Sequence, residues 1–255
     1  MDYSVQEFYR QLAPDYHFIF KDWEAFVRQQ GEVLNRLIRS ESAQADTVLD
    51  CACGIGTQAI GLALQGYNVR ATDISSTAVR RARSEAKNFG VKIFFGDADF
   101  RDLARQVEGT FDVVLACDNS IAHLLNDGDL TLAAASMREK LSAGGLLILS
   151  IRDYDQLIQV KPTAMPQNIL DTHEGRRISF QTWDWAADGR SYALTHFILK
   201  QAGDRWSIRS GTTQLRALQR SELTTVLERT GFERIRWHMP EDTGYHQPMV
   251  SAQRI

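Results

Sequence analysis

The chain has 255 residues, 44% hydrophobic and 24% charged, with a formal net charge of -3 and a sequence pI near 6.1. That is the balance of a soluble globular protein long enough to bury an active site, without the basic stripe of a nucleic-acid binder. No apolar run reaches the roughly 18 residues of a membrane span, and no basic segment followed by an apolar core opens the chain. Cys51, Cys53 and Cys117 make neither a disulfide ladder nor a zinc set. Free buried thiols, a cytoplasmic location, no metal and no nucleic-acid or membrane partner are therefore expected.

Residues 4 to 21 mix aromatic and polar groups, and "DWEAFVRQQGEVLNRLIR" then sets Trp23, Phe26, Val27, Leu34, Leu37 and Ile38 along one helical face, an N-terminal helical arm. From Thr47 strand and helix alternate. "TVLDC" leads to a helix ending at Gln65 before Gly66, and "NVRAT" to a helix from about Thr77 to Phe89 before Gly90; each glycine stands where a left-handed cap is wanted. "VKIFF", "FDVVLAC", a helix from about Leu130 to Leu141, a Gly144-Gly145 turn and "LLILSI" follow. Short apolar strands separated by helices predict an α/β fold with a mostly parallel sheet covered on both faces. After Arg152, "RRISFQTWDWA", "SYALTHFILKQ" and "WSIRSGTTQLRAL", separated by "ADGR" and "AGDR" turns, predict an inserted antiparallel layer. A helix from about Arg220 to Thr230, capped by Gly231, and strands near "FERIRWH" and "PMVSAQR" return to the main sheet. One domain over 1–255 results: a helical arm (1–45), a core (46–152), an antiparallel cap (153–218) and a C-terminal completion of the sheet (219–255).

The first strand-turn-helix-strand, "VLDCACGIGTQAIGLALQGYNVRATD", tells most about ligand. Gly54, Gly56 and Gly61 do not spell the G-x-G-x-x-G of a dinucleotide turn. The D-x-x-x-G-x-G run from Asp50 instead resembles motif I of the class I S-adenosylmethionine-dependent methyltransferases. That cofactor has no phosphate to cradle, so the glycines let backbone approach its aminoacyl and ribose portions. Asp73 ends the next strand, where a carboxylate accepts hydrogen bonds from both ribose hydroxyls. Singly, Gly54 and Gly56 read as plain turn residues and Asp73 as a helix cap; their joint order favours the cofactor. The resemblance implies a Rossmann-like fold with a seven-stranded sheet, and an acid and a small residue beside the adenine in "GDADF": Asp97 or Asp99, which the sequence does not separate, and the backbone of Ala98. Ala52, Ile74 and Cys117 complete the implied cofactor contacts.

The segments "VLDCACGIG", "NSIAHL" and "IRDYD", with "YHFIFKDW" and "DTGYHQPM", resemble the glycine N-methyltransferase family and its relatives acting on glycine, sarcosine and dimethylglycine. The resemblance implies that Asn119 and Arg152 hold a substrate carboxylate, a task suited to a planar guanidinium and an amide donor. Methyl transfer from a sulfonium is in-line displacement that needs alignment rather than a metal. Tyr9, Tyr16 and Tyr245 are either contacts around the amine and methyl, Tyr16 also counting with the cofactor, or core aromatics with satisfied hydroxyls. His123 either packs and bonds a carbonyl or faces the substrate. Arg28 of the arm is the choice for the methionine carboxylate, or else a solvated charge. Trp183 and Trp185 either glue the cap to the sheet or line the pocket. The expected activity is methylation of a small carboxylate-bearing amine, yielding S-adenosylhomocysteine. Transfer to another small acceptor (O- or N-) and a non-catalytic cofactor sensor remain alternatives, a nicotinamide oxidoreductase the remotest. The arm is long enough to reach a neighbouring subunit in a homo-oligomer.

Overall fold

The computed structural model describes residues 3–173 and 175–255. The arm consists of helix α1 (Tyr3–Leu12), a 3-10 turn (Tyr16–Ile19) and helix α2 (Trp23–Glu41). Asp22 caps α2, its carboxylate accepting from the Ala25 N–H at 2.9 Å, which satisfies one of the donors left open in a first turn. Trp23, Val27, Leu34, Leu37 and Ile38 are buried as the periodicity predicts, whereas Phe26 is only partly so.

The core then runs β1 (Thr47–Asp50), α3 (Thr57–Leu64), β2 (Asn68–Asp73), α4 (Ser76–Asn88), β3 (Phe94–Asp97), α5 (Leu103–Gln106), β4 (Phe111–Ala116), α6 (Asp127–Lys140) and β5 (Leu141–Ser150). Helix α7 (Tyr154–Val160) leads into β6 (Asn168–Thr172), β7 (Gly175–Trp185), β8 (Ser191–Ala202) and β9 (Arg205–Arg216). Helix α8 (Arg220–Arg229), β10 (Phe232–His238), α9 (Pro240–Thr243) and β11 (Met249–Arg254) close the fold. Seven strands form one sheet in the order β10-β11-β5-β4-β1-β2-β3, and the four cap strands form a second, antiparallel sheet, β6-β7-β8-β9. In the large sheet β11 runs antiparallel to both neighbours and all other pairings are parallel.

Alternation along the parallel strands divides the core in two. Val48, Val113, Leu115, Leu146 and Ile148 pack with α2 and α3 on one face, while Leu49, Val114, Ala116, Leu147 and Leu149 pack with α6 and α8 on the other. Helices α2 and α3 meet backbone to backbone: a Cβ on Gly61 would stand 2.6 Å from the Val27 carbonyl oxygen and 2.8 Å from the Gly31 nitrogen. Gly61 thus serves helix packing rather than a phosphate. The cap is tied to the arm through Asp15, which accepts from Lys200 Nζ at 2.6 Å and Arg209 Nε at 2.9 Å.

Several boundaries differ from expectation. The third strand begins at Phe94, and the Gly144-Gly145 turn lies inside the hydrogen-bonded span of β5: Phe111 pairs with Leu141 and Val113 with Leu146, so the intervening residues loop out. Helix α7 and strand β6 were not expected, and the helical arm is broken into α1 and α2 around the 3-10 turn. Strand β6 is a short edge strand preceded by Pro162 and Pro166.

Candidate active site

Strand β1 pairs with β2 on one side and β4 on the other, so the chain reverses its direction of travel across the sheet there and opens a crevice at the strands' carboxyl ends. A cavity of about 240 Å³ occupies that crevice, with Ala52, Gly54, Asp73, Ile74, Ala98 and Asp99 on its wall. Cys117 and His123 line it from the loop after β4, and Tyr9 and Tyr16 cover it from the arm. Gly54 adopts a left-handed φ of +51°, and its N–H donates to Asp73 Oδ2 at 2.8 Å while the Ser75 N–H donates to Oδ1 at 2.8 Å. One carboxylate therefore fixes both strand-end turns. Burial raises the Asp73 carboxyl above its usual range, and these two N–H groups oppose the rise. Each oxygen keeps acceptor capacity for a ligand hydroxyl.

Asp50, 1% exposed, lies beneath this turn and off the cavity wall. Its Oδ1 accepts from the Ala52 N–H at 3.2 Å, Oδ2 has no hydrogen-bond partner among the described residues, and burial pushes the group up to about 8. Gly56 is also off the wall, as the left-handed N-cap of α3 at φ +99°. Of the two acids after β3, Asp99 reaches the cavity while Asp97 is exposed outside it. Asp99 is gripped by Arg101, with Nη2 to Oδ2 at 2.7 Å, and the Ala98 N–H donates to the Asp73 carbonyl at 3.0 Å. Arg28 is not brought to the site. The phase of α2 buries Val27, Gln30 and Gly31 and leaves Arg28 exposed, its guanidinium 5.6 Å from the Phe89 ring.

A second cavity, of about 550 Å³, lies between the cap and the core, and Arg152, Gln181, Trp183, His196 and His246 are on its wall. Arg152 donates from Nη1 to the Tyr192 hydroxyl at 2.9 Å and from Nη2 to Gln181 Oε1 at 3.0 Å, and lies 4.5 Å over the Trp183 ring. Those partners are all neutral; among the described residues no carboxylate forms an ion pair with Arg152. Trp183 is 1% exposed and stacks on Tyr192, with centroids 4.7 Å apart, so it both glues the cap and floors the cavity. Trp185 donates its indole N–H to the Pro162 carbonyl at 2.9 Å. His196 is buried on the inward parity of β8, and burial together with Arg152 lowers it to about 4. Its Nδ1 is 3.3 Å from Gln181 Nε2, and its Nε2 is buried without a partner among the described residues. Arg152 and His196 thus line one cavity, bringing a guanidinium that no carboxylate pairs among the described residues and a buried neutral imidazole to the same space. Asn119 is on neither wall: it is 5% exposed and left-handed at φ +67°, and its Oδ1 accepts from the Arg152 backbone N–H at 3.1 Å. It thus holds the turn that carries Arg152.

The two cavities share a partition. Tyr16 lines the first, and its ring centroid is 6.2 Å from that of His196 on the second; burial, reinforced by Asp118, pushes the Tyr16 hydroxyl up to about 12. Asp118 lines the first and accepts from His246 Nε2 of the second at 3.2 Å, from the Tyr245 hydroxyl at 3.1 Å and from Gln58 Nε2 at 2.9 Å. Tyr245 is itself fully buried and lines neither cavity. Asp118, His246, His196 and Gln181 carried no role in the sequence reading. The strand period gave a signal for His196, which shares its parity with Tyr192, Leu194 and Ile198, and for Gln181, which shares that of Trp183. For Asp118 and His246 only the fold brings the segments together.

Residues 48–145 match the family described as Methyltransferase domain. The chain is similar to a glycine/sarcosine N-methyltransferase of Parasynechococcus marenigrum, 32% identical over 62% of this chain and 55% of that protein. It is also similar to the human glycine N-methyltransferase, 32% identical over 52% of this chain and 49% of that one. The chain thus spans about half the length of the curated relatives it matches. Among solved structures it shares the fold of an amino pentose methyltransferase from Micromonospora echinaspora with S-adenosylmethionine bound, at TM-score 0.74 and 18% identity over 95% of each chain.

Proposed function

We propose that this chain, which carries a methyltransferase domain, is an S-adenosylmethionine-dependent N-methyltransferase acting on a small amine that bears a carboxylate, of the glycine, sarcosine or dimethylglycine kind. One observation carries the reading: Arg152, held only by neutral groups, faces a cavity that shares a wall with the crevice beside Gly54 and Asp73.

The crevice fits a sulfonium nucleoside. Asp73, Ala98 and Asp99 line it; in this reading Asp73 accepts from the ribose hydroxyls, and Asp99 and Ala98 meet the adenine edge. When bound, S-adenosylmethionine supplies a methyl group already activated by positive sulfur. The residues of this chain then have one main task, which is alignment. Arg152 and His196 fix the carboxylate, Asn119 fixes Arg152, and Tyr9 and Tyr16 close the crevice from the arm and keep water out. The Tyr9 and Tyr16 hydroxyls stay protonated because burial raises both, so they act as hydrogen-bond donors. The size of the second cavity favours a second reading, a larger amine that keeps an anionic group.

Transfer of labelled methyl to glycine, sarcosine, dimethylglycine and carboxylate-free amines of similar size is the test. Transfer confined to carboxylate-bearing amines is expected. Arg152→Ala should lower kcat/KM for them about a hundredfold or more, since truncating one partner of a buried ion pair costs about 2–5 kcal/mol, while leaving affinity for S-adenosylhomocysteine unchanged. Equal transfer to carboxylate-free amines removes the clamp, and bound cofactor without turnover on any amine favours a sensor.

A further inference from the structure

Amines that carry a carboxylate are mostly ammonium at neutral pH, and an ammonium nitrogen has no lone pair with which to attack a methyl group. One group at the partition is arranged to take that proton. His246 lines the second cavity together with Arg152, and its Nε2 lies 3.2 Å from Asp118 Oδ1. With its hydrogen on Nε2, toward the carboxylate, the neutral ring presents Nδ1 as the acceptor; Nδ1 has no protein partner among the described residues. We propose that His246 accepts the proton of the bound ammonium through Nδ1, with Asp118 as the positioning residue that holds the ring and balances the imidazolium. The inference rests on the reading of the second cavity as the site of a carboxylate-bearing amine.

Asp118 is built for that position. It sits at φ +55°, followed by Asn119 at φ +67°, and two successive non-glycine residues in the left-handed region persist only where the surroundings enforce them. The enforcement is visible: the Asp118 N–H donates to Ser150 Oγ at 2.7 Å, and Gln58 and Tyr245 hold its carboxylate. Burial alone would raise the Asp118 carboxyl, but hydrogen bonds from His246, Gln58 and Tyr245 hold it below its usual range, so it stays anionic.

Four titratable groups near the partition do not suit the task. Burial raises the hydroxyls of Tyr9, Tyr16 and Tyr245, which therefore keep their protons, and His196, lowered to about 4 beside Arg152, is too weak a base. The groups facing His246 are Asp118, the Tyr245 ring at 4.7 Å and the Phe26 ring of α2 at 5.3 Å. Arg152, Asp153, Glu241 and His196 are the charged or titratable groups elsewhere on the cavity wall.

The step balances. One ammonium N–H bond breaks and its proton joins Nδ1. The freed lone pair forms the C–N bond as the C–S bond breaks with its electron pair going to sulfur, and the product is an N-methylated ammonium and a neutral thioether. The imidazolium returns its proton to water, for which the His246 side chain is 37% exposed.

His246→Gln and Asp118→Asn, with pH profiles of kcat/KM, test this. In the wild type kcat/KM should be level through neutral pH, because the bound ammonium has a proton acceptor beside it. In His246→Gln only free-base amine reacts, so kcat/KM should climb by one decade per pH unit across that range and lie about a hundredfold below wild type at neutral pH, with added imidazole restoring part of the loss. Asp118→Asn should show part of the same climb with pH, because the imidazole loses the group that holds it and balances its charge. A wild-type profile in His246→Gln with S-adenosylhomocysteine binding intact overturns the inference; loss of amine turnover in Arg152→Ala in the same series shows that the carboxylate site stands without it. Should His246→Gln fail to bind S-adenosylhomocysteine, a wild-type profile in Asp118→Asn overturns it equally. If the wild type methylates no carboxylate-bearing amine, the reading beneath fails and the proton acceptor goes with it.

Discussion

Asp50 and Asp73 end adjacent strands with carboxylates of the same chemistry and opposite fates. Asp73 faces the cavity with both oxygens bonded to backbone N–H groups, whereas Asp50 is sealed under the turn with Oδ2 unpartnered. Burial pushes Asp50 up to about 8 in the folded protein, against about 3.9 in an unfolded chain. A raised folded value means that its contribution to stability is fully present below about pH 4 and is lost as pH rises through about 8. Melting temperatures measured from pH 5 to pH 9 should therefore fall for the wild type relative to Asp50→Asn, which carries a neutral group at every pH; parallel curves would show that Asp50 does not titrate in this way. The D-x-x-x-G-x-G run marked Asp50, and the acid ending the next strand marked Asp73 as the one for ribose hydroxyls. That Asp50 stays off the cavity wall was not legible, because it depends on where the turn folds back over the strand end. Asp97 and Asp99 separated for the same reason, once the chain after β3 set one on the wall and the other in solvent. Arg28 lies off the apolar stripe of α2, whose phase Trp23, Val27, Leu34 and Ile38 already marked, so it points to solvent.

At the scale of elements, the contact of α2 with α3 sets the height of the turn that carries Gly54. The two backbones touch at Gly31 and Gly61, so any side chain there forces the helices apart. Gly61→Ala should lower unfolding free energy by about 1–3 kcal/mol, read as a drop in the denaturation midpoint, and should weaken S-adenosylhomocysteine binding as the turn shifts. Unchanged stability would mean that the helices slide without cost. The glycines also explain how well the helix ends could be read: α3, α4 and α8 stop within a residue or two of Gly66, Gly90 and Gly231, each at positive φ. Helix α1 and strand β6 lacked such punctuation. The antiparallel cap was legible from its aromatic and β-branched alternation and its turns, but not its docking on the arm, which rests on Asp15 meeting Lys200 and Arg209 from distant strands.

Across the whole molecule the two cavities were unequally visible in the sequence. The walls of the first come from turns that directly follow strands, so local motifs announced Gly54, Asp73 and Ala98 together. The second is assembled from the arm, the loop after β5, three cap strands and the segment before β11, and only folding brings Arg152, Gln181, His196 and His246 to one space. Both depend on the claim that the crevice holds a sulfonium nucleoside through Asp73. Calorimetric titration of S-adenosylhomocysteine into the wild type and Asp73→Ala tests that most directly. One site per chain is predicted, with affinity lower by about a hundredfold or more in the variant, because two hydrogen bonds to a charged acceptor are worth about 1.5–3 kcal/mol each. No binding to the wild type, or equal affinity in Asp73→Ala, would contradict the account.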